Sequence, residues 1–219
     1  MLYVKIKAEF KNGPKGRFYR TFLVREDINL FNFCIGLCTM LGAKFEHCFL
    51  IDDRKKNTQY VMAPFLEDIF DDSRMKYIRN YTLCALSDNF SFEYDTGDGW
   101  DFSCKKYKKI ITKENEGDFI FLEGAGMGIW EDNISSLYAL FNGKIDPNLE
   151  SEDQENGYYF PWNFKIEKFG DFDKPLSVEE INGKLNELYE ADCDNIALQE
   201  VQYIEEYGID VDFTEEEFF

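Results

Sequence analysis

The first ten residues, MLYVKIKAEF, alternate between apolar and polar positions. Leu2, Val4, Ile6, Ala8 and Phe10 fall on one side of an extended chain, and Tyr3, Lys5, Lys7 and Glu9 on the other. A period of two predicts a strand with one buried face. KNGPKG, residues 11–16, is turn chemistry, because glycine and proline supply the backbone angles of a reversal. RFYRTFLV then returns as a second strand. INLFNFCIGLCTML, residues 28–41, is apolar on most sides of a helical wheel, so it predicts a helix covered all round rather than one with a wet face. Asp27 is placed to cap its start, and Gly42 to close it in the left-handed conformation. HCFLID and TQYVM read as further strands, which gives a β-grasp-like strand-strand-helix-strand opening.

Residues 63–80 have no clear period and read as an irregular or short helical connection. NFSFEYD and WDFSCKKYKKI alternate again and are joined by TGDG, so the stretch FSFEYDTGDGWDF is predicted to be a hairpin. DFIFLEG is one more strand. DNISSLYALFNG is a helix with Asp132 or Asn133 as its cap, and the polar run KIDPNLESEDQENG is an exposed loop. LSVEEINGKLNELYEA is a second amphipathic helix, with Ser177 and Glu180 spaced as a capping box. DNIALQEVQYIEEYG is a third, and the tail IDVDFTEEEFF mixes acids with aromatics. The fold class is therefore α+β: an antiparallel or mixed sheet, a buried first helix, and C-terminal helices packed on one side.

Composition narrows the class. A hydrophobic fraction of 44% and an aromatic fraction of 17% exclude a disordered chain. No apolar run is long enough to cross a bilayer, and the amino terminus lacks the apolar block of a signal peptide, which points to a soluble, cytoplasmic protein with no membrane partner. The six cysteines form no C-x-x-C pair and read as buried, reduced thiols. The net charge of −19 is unevenly spread. Residues 1–74 hold 12 basic and 10 acidic side chains, residues 75–146 hold 8 and 12, and residues 147–219 hold 4 and 21. The last third therefore repels nucleic acid, and suits either a basic protein partner or simple solubility.

The blocks GRFYRTFLV, INLFNFCIGLCTMLGAKFEHCFLI, FEYDTGDGWDF, EGAGMGIWEDN and PLSVEEINGKL come in an order that resembles the plasmid pRiA4b ORF-3-like family. The likeness spans roughly residues 1–190, leaving 191–219 as an acidic C-terminal helix and tail. The hairpin block is its specific part. The positions that match the family's motifs are Arg20, His47, Tyr94, Asp95, Gly97, Asp98, Trp100, Asp101, Glu131 and Asp132. Phe102 stands where the family has a histidine, and Ile129-Trp130 where it has two prolines. The glycine pair after the Glu-Asp block and a histidine early in the first helix are missing too. The resemblance implies an α+β accessory protein of plasmids, phages or insertion elements, with no settled activity.

Several constellations carry candidate chemistry. Asp95, Asp98, Glu131 and Asp132 are a candidate metal set for a divalent-metal-dependent hydrolase of phosphate esters. An EF-hand loop starting at Asp95 is excluded, since it would need a glutamate where Lys106 stands. No cofactor is expected, and carboxylates in a turn hold Mg²⁺ or Ca²⁺ only weakly. The simpler reading makes the hairpin acids turn formers, Asp132 a helix cap, Glu131 its solvated neighbour, and His47 a half-buried histidine at a strand start. GAGMG lacks the pattern of a phosphate loop. Two cationic clusters, Lys11, Lys15, Arg17 and Arg20, and Lys105, Lys106, Lys108 and Lys109, are short, so direct nucleic-acid binding as a mobile-element accessory protein ranks third.

The leading expectation is a non-enzymatic interaction protein encoded by a phage or mobile element. It would act on a protein with a basic surface, inhibiting a host nucleic-acid-processing or defence enzyme such as a CRISPR or restriction nuclease. The residues expected to contact that partner are Glu205, Glu206, Asp210, Asp212, Phe213, Glu215, Glu216, Glu217, Phe218 and Phe219.

Overall fold

The computed structural model describes residues 1–63, 65, 73–111, 117–149, 167–191 and 204. Eight strands form one mixed sheet: β1 Leu2–Phe10, β2 Tyr19–Arg25, β3 Phe49–Asp53, β4 Thr58–Val61, β5 Met75–Tyr77, β6 Asn89–Tyr94, β7 Trp100–Ile111 and β8 Phe119–Ala125. Their order is β5-β4-β3-β6-β7-β1-β2-β8, with β4 and β5 parallel and every other pair antiparallel. The helices are α1 Leu30–Leu41, α2 Ile134–Phe141 and α3 Val178–Ala191. This is the α+β architecture with a mixed sheet that the periodicities predict, including the strand-strand-helix-strand opening.

One face of the sheet builds the core. The alternation in β1 buries Val4, Ile6, Ala8 and Phe10, and the same period in β6 and β7 adds Phe90, Phe92, Tyr94, Trp100, Phe102 and Cys104. α1 lies against this face with every residue buried except Asn32, as its all-round apolar sequence requires. The approach is close at Gly36: a Cβ there would stand 2.3 Å from the ring of Phe119 on β8. α1 starts two residues later than expected. Asn29, not Asp27, is its cap, its side chain accepting from the Phe31 amide at 2.8 Å, while Asp27 pairs with Arg25. Gly42 closes the helix at φ 72°, the left-handed angle that favours glycine.

α3 opens with the serine half of the expected capping box, Ser177 Oγ accepting from the Glu180 amide at 3.2 Å, while the Glu180 carboxylate pairs with Lys184 at 3.3 Å. It runs beside the edge strand β8. The Asn182 carboxamide accepts from the Phe121 amide at 2.8 Å and donates to the Phe121 carbonyl at 3.1 Å. Ile204, from the predicted third amphipathic helix, is helical and packs with Val61, Ala63 and Tyr77. The rest of that helix and the tail lie outside the described residues. Among the described residues, no helix is long and apolar enough to cross a membrane.

Candidate functional site

Three chain segments meet beyond one end of the sheet: the link from α1 into β3, the β6–β7 turn, and the link from β8 into α2. Backbone bonds tie them together. The Ile129 amide donates to the Leu41 carbonyl at 2.8 Å, and the Asp95 amide to the Cys48 carbonyl at 3.0 Å. His47 Nε2 sits at the junction. It lies 3.2 Å from Asp132 Oδ1, 3.7 Å from Asp95 Oδ2 and 3.8 Å from Glu131 Oε2. This nitrogen is shielded from solvent and makes no well-aligned hydrogen bond.

Glu131 is the deepest member, at 3% exposure. It accepts from the Lys44 amide at 2.5 Å and from the Tyr94 hydroxyl at 3.0 Å. Burial raises its pKa above the ordinary carboxylate range, and the Lys44 amide, the Tyr94 hydroxyl and His47 partly offset that. The Tyr94 phenol is pushed up as well, first by burial and then by nearby Cys38 and Glu131. Asp95 is also buried. Its Oδ1 accepts from the amides of Gly97 at 3.1 Å and Asp98 at 3.2 Å, which leaves Oδ2 facing His47. Four non-glycine residues among those described have positive φ, and three of them, Phe45 (62°), Asp95 (53°) and Asp132 (54°), belong to these segments. Such backbone is costly for residues with a Cβ and collects where a side chain must be aimed.

Asp98 stands apart from this group. Its Oδ2 accepts from the Ile134 amide at 3.1 Å, so the hairpin supplies the acceptor at the start of α2. The expectations for Asp132 and Glu131 are corrected here. Asn133 occupies the cap position without a side-chain cap bond, since its Oδ1 accepts from the Ser136 hydroxyl; Asp132 faces His47; and Glu131 is buried, not solvated. Of the four proposed metal ligands, the fold brings Asp95, Glu131 and Asp132 together and leaves Asp98 out.

Sequence reasoning missed Glu46. Its carboxylate, His47 and Asp132 each offer a ligand atom, and all of these atoms lie within 4.8 Å of one another. Nothing in FEHCFLI marks Glu46, because only the folded link brings it toward Asp132.

The other motif positions hold the scaffold. Arg20 is fully buried, donating to the carbonyls of Met40 at 2.6 Å, Ala125 at 2.8 Å and Tyr19 at 2.9 Å. Burial lowers its pKa to about 9, so it stays charged at neutral pH. Trp100 is buried in the core, Gly97 shapes the turn, and Asp101 pairs with Lys11 at 2.7 Å.

The cationic clusters look different once folded. Arg20 faces inward, and Arg17 is paired with Asp173. Lys106 donates to the carbonyls of Leu83 and Leu86, and Lys109 pairs with Glu26. Cys34, Cys38 and Cys104 are buried free thiols, whereas Cys48 is half-buried and Cys84 exposed, against the expectation that all are buried. Every residue expected to contact a partner, from Glu205 to Phe219, lies outside the described residues.

No protein-family model and no curated protein matches the chain. Its fold is similar to that in a crystal structure of a protein of unknown function, MM3350 from Methanosarcina mazei Go1, with a TM-score of 0.60 and 16% identity. The match covers 82% of this chain and 96% of that one. At that identity the likeness shows the shared fold alone.

Proposed function

We propose that the protein is a divalent-metal-dependent hydrolase of phosphate esters, working at the cluster of His47, Asp95, Glu131 and Asp132. The observation that supports this reading is the approach of three carboxylates to within 3.8 Å of one imidazole nitrogen that makes no hydrogen bond. The Asp132 oxygen 3.2 Å from Nε2 stands at the separation expected of two ligand atoms about 2.1 Å from one divalent ion. A bound ion would supply an activated water near neutral pH and charge neutralisation for phosphoryl oxygens. Asp132 is largely exposed, which leaves a side open to substrate. Glu131, whose burial favours the protonated form, is placed to hold and release a proton beside it. His47, Tyr94, Asp95, Glu131 and Asp132 are also positions of the pRiA4b ORF-3-like motifs, and their meeting in one place supports carrying that resemblance forward.

The test is hydrolysis of bis(p-nitrophenyl) phosphate and p-nitrophenyl phosphate with added Zn²⁺, Mn²⁺ or Mg²⁺. Turnover that stops with a chelator, returns with metal and is lost in His47→Ala is expected. Rates indifferent to chelation and to that substitution would remove the proposal.

A second reading is favoured by the charge distribution: a cytoplasmic interaction protein from a phage or mobile element that binds a basic host protein. Within the described residues Lys11, Arg17, Arg25 and Lys109 are already paired with Asp101, Asp173, Asp118 and Glu26. Residues 192–219 add ten carboxylates and no lysine or arginine. Pull-down with the full chain is expected to capture a partner at low salt and to lose it at high salt or when Glu215, Glu216 and Glu217 are changed to Gln. Capture that ignores both changes would rule out the acidic tail as the binding element.

A further inference from the structure

We infer that the ion is a borderline transition metal of the zinc class, and that its protein ligands are Glu46, His47 and Asp132. This rests on the metal-dependent reading above and divides the cluster into two tiers. Among the described residues, these three form the one His/Cys/Asp/Glu group whose ligand atoms all lie within 4.8 Å of one another. Asp95 and Glu131 approach the same nitrogen but are committed elsewhere. Asp95 Oδ1 is held by two amides, and Glu131 by the Lys44 amide and the Tyr94 hydroxyl. Their part is to place negative charge behind the imidazole, which favours a cation in front of it.

Two features point to an ion rather than to a surface group of acids. The first is His47 Nε2, a nitrogen shielded from solvent that makes no hydrogen bond although carboxylates surround it. The second is the gradient of exposure. The side chains of Glu46 and Asp132 are 55% and 68% exposed and that of His47 29%, while Asp95 and Glu131 behind them are buried. A cation seated on the three outer groups would keep open positions toward water. The donor set then selects the ion. Mg²⁺ and Ca²⁺ favour all-oxygen shells, whereas imidazole with carboxylates suits zinc and its neighbours.

Calorimetry of the full chain with ZnCl₂, MgCl₂ and CaCl₂ tests the assignment. Co²⁺ absorption alongside separates this site from the thiol of Cys84, which is exposed. One Zn²⁺ per chain is expected, with no thiolate charge-transfer band for Co²⁺. Affinity is expected to fall by about tenfold or more in His47→Ala and in Glu46→Gln, and to hold in Asp98→Asn. Glu46 is exposed, so its variant keeps the fold and carries the test if His47→Ala unfolds. Zn²⁺ binding that survives both substitutions, or a Co²⁺ spectrum with thiolate character, would overturn the assignment. Preference for Mg²⁺ or Ca²⁺ would overturn it too while leaving metal-dependent hydrolysis standing. Absence of binding by any of the ions would end both.

Discussion

Glu131 and Arg20 are both buried and charged in their ordinary states, and the chain treats them in opposite ways. Arg20 has no carboxylate within its hydrogen-bond set and is held by three backbone carbonyls. One of them, Met40, lies in the last turn of α1, where the helix dipole favours a cation. Glu131 has two good donors but remains above the usual carboxylate range, because burial outweighs them. The sign of its effect on stability follows. A carboxyl whose native pKa is raised binds its proton more tightly in the folded chain than in the unfolded one. Stability therefore falls as pH climbs from the ordinary value of 4.5 through the raised one. In Glu131→Gln the amide oxygen can still accept from Lys44, and the titration is gone. Thermal melts from pH 4 to pH 8 are expected to show wild type losing stability relative to the variant as pH rises through that window. Parallel profiles would mean that the folded and unfolded carboxyls titrate alike.

At the scale of elements, the β6–β7 hairpin has two separate duties. Asp95 folds the turn back on its own amides and faces His47, and Asp98 reaches across to the first amide of α2. Removing that acceptor in Asp98→Ala should cost about 1 kcal/mol, the usual value of a helix cap. Asp98→Asn should recover most of it. Chemical denaturation of the three proteins checks this, and equal midpoints would show that α2 does not need the cap. The hairpin, the serine cap of α3 and the strand-strand-helix-strand opening were all legible, because each is written in local periodicity and turn chemistry. The inward course of Arg20 is legible too, against its grouping with the cationic cluster: in RFYRTFLV the period of two puts Arg20 on the same face as Phe18, Phe22 and Val24. Asp95 and Glu131 stand in one candidate set on sequence alone, but that His47 joins them was not legible. It depends on β3 pairing with β6 and on the Leu41–Ile129 bond, which join segments far apart in sequence.

Across the whole molecule, the sheet orders its strands so that β1, the first to be made, has β7 and β2 as neighbours and β6 lies one strand further out. The core and the cluster are therefore completed only when the β6–β7 hairpin has joined β1 and β3. The two outermost strands, β5 and β8, are another matter. A sheet this wide presents a row of unsatisfied donors and acceptors along each flank, to which a second chain could zip. On the β8 flank the Asn182 carboxamide answers both the amide and the carbonyl of Phe121. One side chain from α3 thereby impersonates a residue of a ninth strand, and the backbone groups of Phe121 are not offered to a second chain.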